Sequence, residues 1–225
     1  MSEIISSHLF SIVLCILAFQ IGTFIYGKTK LAFLNPILIA IGIIIMMLQV
    51  LHMPLEVFKE NTEMINLFLG PATVVLAVPM YTQREVLKKN LLPILIATSV
   101  GALTAIGSVI LLGRLFRLEE SFLISFIPKS VTTPIAVEVS ESLGGIPSIT
   151  VAAVIITGIV GAVLAPSLIK LLGLKNKVAI GLAIGASSHA VGTSKAVEMG
   201  EVEGALSGLA IGIVGIFTVF MSLFL

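Results

Sequence analysis

The sequence predicts an all-α polytopic membrane protein. It reads as an inverted repeat of two halves, each with about three spanning helices plus one broken or re-entrant element. Three observations lead there. Hydrophobic residues make up 57% of the 225 positions and charged residues only 11%, against about 25% charge in soluble domains, so the chain lacks the surface that keeps a domain in water. The charges are grouped, which leaves apolar runs of the roughly 20 residues a spanning helix needs. Three of those runs are interrupted by proline, glycine and hydroxyl residues. Mean hydropathy of +1.17 and a net charge of +1 exclude disorder, a coiled coil and a basic nucleic-acid surface. The single cysteine, Cys15, leaves no internal disulfide. No Cys/His cluster suggests a metal or a cofactor.

The gaps between charges give eight hydrophobic elements in one membrane domain, 1–225, with halves at 1–118 and 119–225. Leu9–Gly27 has no basic stretch before it and is too long for a signal-peptide core, so it reads as a retained helix. Leu31–Leu51 contains Asn35-Pro36 near its start; Asn35 caps the helix or faces a site, and the sequence leaves both open. Met64–Gln83 holds the broken stretch Leu69-Gly-Pro-Ala-Thr-Val-Val-Leu-Ala-Val-Pro79. Asn90–Gly113 is plainly apolar. Glu120–Glu141 is interrupted by Lys129, Glu138 and the stretch Ile127-Pro-Lys-Ser-Val-Thr-Thr-Pro134. Ser142–Ile169 follows the tight turn Leu143-Gly-Gly-Ile-Pro147. Val178–Ser194 contains Ile184-Gly-Ala-Ser-Ser-His-Ala-Val-Gly-Thr-Ser194, and Gly204–Leu225 is plain again. Glycines four apart (Gly181 and Gly185; Gly204, Gly208 and Gly212) favour close helix packing.

Leu69-Gly-Pro-Ala-Thr and Ile184-Gly-Ala-Ser-Ser match at an offset of 115, about half the chain. If all eight elements span, the Lys/Arg residues outside them split evenly and orient nothing. If 64–83 and 178–194 are re-entrant instead, one face holds Lys28, Lys30, Arg114, Arg117, Lys170, Lys175, Lys177 and Lys195, and the other holds Lys59, Arg84, Lys88 and Lys89. Three crossings per half then invert the second half, the plan of secondary transporters with a midplane site. This layout expects Lys88 and Lys89 on the face opposite Lys175 and Lys177.

Irregular backbone at membrane depth survives only where it is buried in protein or lines a cavity. The three broken stretches therefore point to one interior site. Lys129 lies near the middle of its element, where a charge is costly unless paired or hydrated. With the hydroxyls of Ser130, Thr132 and Thr133, and backbone freed by Pro128 and Pro134, it makes an anion site; pairing with Glu138 or snorkelling to an interface is the alternative. His189, among Ser187, Ser188 and Thr193, suits a proton relay or a donor to a substrate oxygen; a buried histidine bonded to a carbonyl is the plainer reading. An intramembrane hydrolase is disfavoured: Ser188 and His189 are neighbours that do not face each other on a helix, and no Gly-x-Ser-x-Gly or His-Glu-x-x-His motif occurs. No catalytic residue is expected.

Pro128-Lys-Ser-Val-Thr-Thr-Pro-Ile-Ala136, with Ser140 and Gly144-Gly-Ile-Pro147, resembles one signature of the LrgB/CidB family of bacterial membrane proteins. Gly185-Ala-Ser-Ser-His-Ala-Val-Gly-Thr193, with Ala196 and Glu198, resembles a second. Leu34-Asn-Pro36, Pro71-Ala-Thr73 and Ala77-Val-Pro79 match further positions, adding Thr73 and Asn35 to the candidate site. The resemblance implies a multi-pass protein of the cell inner membrane, described as antiholin- or holin-like and tied to autolysis and murein hydrolase control. It equally implies kinship with a plastid glycolate/glycerate transporter and with bacterial members linked to pyruvate. A smaller LrgA/CidA-type membrane protein is the implied partner. The expectation from residues and resemblance together is a secondary transporter of small monocarboxylates, coupled to H+ or Na+, possible as a homo-oligomer, with no nucleic-acid partner. The alternative is a holin/antiholin-like regulator of lysis.

Overall fold

The computed structural model describes residues 7–29, 34, 36–68, 71, 74–75 and 77–225. The described residues are helical and contain no strand. Helices α1 (His8–Thr29), α2 (Pro36–Val50) and α3 (Leu55–Asn66) are followed by α4 (Ala77–Thr82), α5 (Arg84–Lys89) and α6 (Leu91–Leu115). Then come α7 (Glu120–Phe126), α8 (Thr133–Ser142), α9 (Pro147–Leu171), α10 (Lys177–Met199) and α11 (Glu201–Ser222). Among them α1, α6, α9 and α11 are long and apolar enough to cross a membrane. The chain forms two compact units, Met1–Val75 and Leu76–Leu225.

In the first unit α1 packs on α2 and α3. A Cβ at Gly22 would run into the backbone of Pro36, so the two helices touch there without side chains between them. Asn61 on α3 is buried, and its Nδ2 donates to Ser11 Oγ at 3.3 Å. Such a polar contact fixes two helices in an apolar medium.

The second unit is organised by two elements that turn back on themselves. The first is α7–α8. Ile124 and Ser140 both lie against Gly145, and Ile146 N donates to Ser125 Oγ at 2.7 Å. A continuous helix would hold residues 124 and 140 about 24 Å apart. The chain therefore enters along α7, reverses over 127–132, and returns along α8. Pro128 and Pro134 cause the reversal, since neither can continue a helical hydrogen-bond ladder. Gly144, at φ 85°, makes the sharp exit into α9, and Thr150 Oγ1 donates to Ser140 Oγ at 2.7 Å.

The second is α10. Asn176 starts it, its Oδ1 accepting from Val178 N (2.9 Å) and Ala179 N (3.2 Å), the usual work of an N-cap. The helix breaks at His189, where φ is 41° and ψ is −140°. Beyond the break it doubles back: Ile180, Ile184 and Ala196 share one apolar cluster, and Gly192 sits against Ile184 and Ser188. The re-entrant reading of 178–194 thus matches the geometry. The corresponding stretch at 64–83 lies partly outside the described residues.

The crossings in the second half come out differently from the expected three. Glu120–Glu141, read as a span, returns to the side it came from, so α9 and α11 are its two long crossings. Its length misled: 22 residues are enough to span, and only the contacts at Gly145 show the return. The parity change moves charges. Val86, Leu87, Val178 and Val202 pack on the same cluster, and Gln83 Nε2 donates to Glu201 Oε2 at 3.5 Å. Lys88 and Lys89 therefore lie at the same end of this unit as Lys175 and Lys177, which corrects the expected opposition. That end carries Arg84, Lys88, Lys89, Lys170, Lys175, Lys177 and Lys195, seven in all, while the other carries Arg114 and Arg117. The bias is the one the positive-inside rule expects of a cytoplasmic end.

Candidate functional site

The two turns-back enter from opposite ends, and their tips converge. Val131, at the tip of the first, shares a buried cluster with Ala186 beside the tip of the second. Ala102 of α6, Val154 of α9 and Val214 of α11 complete it. The depth follows from α9. Gly158 faces the ring of His189, Gly161 faces Ser188, and Ala165 and Ile169 pack near Ile180 and Ile184. From Leu171 to Gly161 and Gly158 is about 15 and 20 Å of helix, so the Ser188–His189 tip reaches between half and two-thirds of the way through an apolar core of about 30 Å.

Small residues on α9 make room for this tip. A Cβ at Gly158 would lie 2.6 Å from His189 Cε1, and one at Gly161 would overlap the Ser188 hydroxyl. His189 is buried, and its Nε2 donates to Val154 O at 2.8 Å. With Nε2 protonated, a neutral ring presents Nδ1 as an acceptor, and that atom makes no hydrogen bond to the described residues. The positive φ of His189 places a bulky residue where non-glycine residues seldom sit. Strain of this kind persists only where its surroundings hold it, and it gathers at functional sites.

Lys129 is half-buried in the first tip, with Nζ 3.4 Å from Ser130 Oγ. Among the described residues it forms no ion pair, and Glu138 is exposed. The pairing of Lys129 with Glu138 is therefore absent. Ser130 is buried; Thr132 caps α8 by position, and Thr133 opens it, both half-buried. Ser188 is buried, whereas Ser187 is exposed, with its Oγ donating to Ala183 O at 2.8 Å and lying 3.0 Å from Ser188 Oγ.

Thr193 has a different use from the expected one. Its Oγ1 donates to His189 O at 2.9 Å and pairs with Ser207 Oγ at 2.7 Å, so it ties the returning half of α10 to α11. Asn35 and Thr73 lie outside the described residues. Sequence reasoning missed Ser207, Gly158, Gly161 and the Val154 carbonyl. The glycines carried a signal, since Gly158 and Gly161 interrupt an otherwise bulky apolar run. The carbonyl carried none.

The arrangement brings a cation with a neighbouring hydroxyl on one tip, and a histidine with two serines on the other, to one apolar midplane cluster. Charge and donors of that kind suit a small anion.

Comparison with known proteins places the chain. The LrgB-like family matches residues 15–225. The chain is 37% identical over 211 residues to the antiholin-like protein LrgB of Bacillus mycoides (strain KBAB4), covering 93% of this chain and 92% of the relative. The antiholin-like proteins LrgB of Bacillus cereus (strain B4264) and Bacillus anthracis (strain CDC 684 / NRRL 3495) match to the same extent. No solved structure matches. The relatives' shared name favours the lysis-regulator alternative over the carrier reading, and it names no substrate. The chain is a member of the LrgB-like family of membrane proteins.

Proposed function

We propose that the chain is an antiholin-like protein of the cell inner membrane that restrains murein hydrolase activity and autolysis. The support is the name of relatives that align over 93% of the chain. No enzymatic step is assigned to it.

A second reading is favoured by one geometric observation: two turned-back elements meet tip to tip at mid-depth, bringing Lys129 and His189 toward one cluster. Secondary transporters place their sites at such broken helices. In this reading the chain carries small monocarboxylates such as pyruvate, glycolate or glycerate. Lys129 neutralises the carboxylate, Ser130, Thr132, Thr133, Ser187 and Ser188 supply hydroxyls, and His189 bonds the substrate or carries a coupling proton. Coupling to H+ or Na+, a homo-oligomer and a smaller LrgA/CidA-type partner all belong to this proposal.

Flux into liposomes holding the purified chain separates the two. Saturable, selective monocarboxylate uptake supports the carrier. A chain that moves no solute, yet delays autolysis when restored to a strain lacking it, supports the regulator alone. Non-selective leak contradicts both.

A further inference from the structure

The turn between α10 and α11 holds a buried carboxylate that the site above does not use. Glu203 is 5% exposed, and its Oε2 makes no hydrogen bond to the described residues. It sits in the first turn of α11, where Gly200 N donates to Ala196 O at 3.1 Å and Gly204 N to Gly200 O at 2.9 Å. Glycines line the turn, and one of them lies against the carboxylate. A Cβ at Gly200 would overlap Glu203 Oε2, Gly204 lies against Val197, and Gly181 lies against the Glu203 backbone. The charged neighbours are engaged elsewhere: Lys195 Nζ is 2.7 Å from Glu198 Oε2, and Glu201 accepts from Gln83.

An unpaired carboxylate oxygen this deep costs free energy. A proton would turn the carboxyl into an O–H donor that needs an acceptor in turn. A helix cap does not relieve it, since an N3 glutamate caps by bonding the N-cap N–H, and Gly200 N is already bonded to Ala196 O. A small cation would. The returning half of α10 ends at this turn, so its last carbonyls lie close by with the negative end of the helix. In carriers, half-helix C-terminal ends and freed carbonyls coordinate sodium, there at mid-depth.

We propose that Glu203, with the carbonyl end of 190–199, binds a sodium ion, and that Gly200 keeps the space for it. The site lies at the turn rather than at the tips, and it stands whichever function holds.

The test is the unfolding midpoint of the full-length chain in lipid nanodiscs, in sodium chloride against choline chloride at equal ionic strength. Sodium at tenfold excess over half-saturation is expected to raise the midpoint by about 3–6 °C. Glu203→Gln, which keeps the side chain's size and one carbonyl oxygen but removes the charge, should lose that rise, while Glu201→Gln should keep it. If Glu203→Gln does not fold, Gly200→Ala serves, with half-saturation expected to rise at least tenfold. A wild-type midpoint that ignores sodium, one that follows pH alone, or a sodium response intact in Glu203→Gln or Gly200→Ala would overturn the site.

Discussion

Replacing Gly185 with valine is expected to destabilise the protein by about 3 kcal/mol or more, enough to lose most folded material on extraction. The first half of α10 runs beside α11 with almost nothing between them. A Cβ at Gly185 would overlap the carbonyl oxygen of Ser207 and lie 2.8 Å from Ala210 Cβ; one at Gly181 would lie 2.8 Å from Leu206 Cβ. The obstacle is largely backbone, so no rotamer change absorbs the added atoms. The helices must separate, and the Thr193–Ser207 bond and the cluster of Leu182, Ala205, Leu206 and Ala210 separate with them. Gly212 is the control. Nothing lies within 4 Å of a Cβ built there, so Gly212→Ala should be neutral or stabilise by up to about 1 kcal/mol through helix propensity. Thermal unfolding of the purified variants in detergent measures both. Equal behaviour of Gly185→Val and Gly212→Ala would show that the α10–α11 seam is loose.

Lys129→Met is expected to leave the fold intact and, on the carrier reading, to weaken monocarboxylate binding about 30-fold or more. The side chain is half-buried and forms no ion pair among the described residues, so methionine strands no partner and removes a desolvated charge. The unfolding midpoint should hold or rise. Binding should fall, because a carboxylate brought to mid-depth loses its counter-charge. Lys129→Arg should restore only part, since a planar fork does not replace a compact ammonium in a fixed pocket. Calorimetric titration with pyruvate, glycolate and glycerate reads the effect. Unchanged affinity in Lys129→Met would remove the anion site and leave the regulator reading alone.

The helices were legible in the sequence because a charge-free apolar run is nearly the whole physical requirement for a membrane helix. The broken stretches were legible for a related reason: Pro128, Pro134 and the Ser187-Ser188-His189 run are too costly in lipid to be idle. What the residues do not carry is direction. A segment that crosses and one that turns back show the same hydropathy, and the difference lies in contacts such as Ile124 with Gly145 or Ile184 with Gly192. In the sequence, only the split of basic residues marks 178–194 as re-entrant, and it leaves 120–141 as a crossing. The same limit applies to the site. Lys129 and His189 stood out as costly residues, but the partner of Thr193 is Ser207, fourteen residues on and in another helix. Periodicity does not reveal such a bond.

The account rests on two elements that turn back from opposite faces, and sidedness tests this most directly. Single cysteines at Lys88, Arg117, Lys175 and Glu198, all exposed, are introduced with Cys15→Ser and labelled in intact cells and in inverted vesicles with a membrane-impermeant maleimide. The geometry predicts that positions 88, 175 and 198 label together from one face, the cytoplasmic one, and that position 117 labels only from the other. Labelling of 117 together with 175 would mean that 120–142 crosses the membrane, and labelling of 198 opposite 175 would mean that α10 does. Either result would contradict the meeting of the two tips at the midplane.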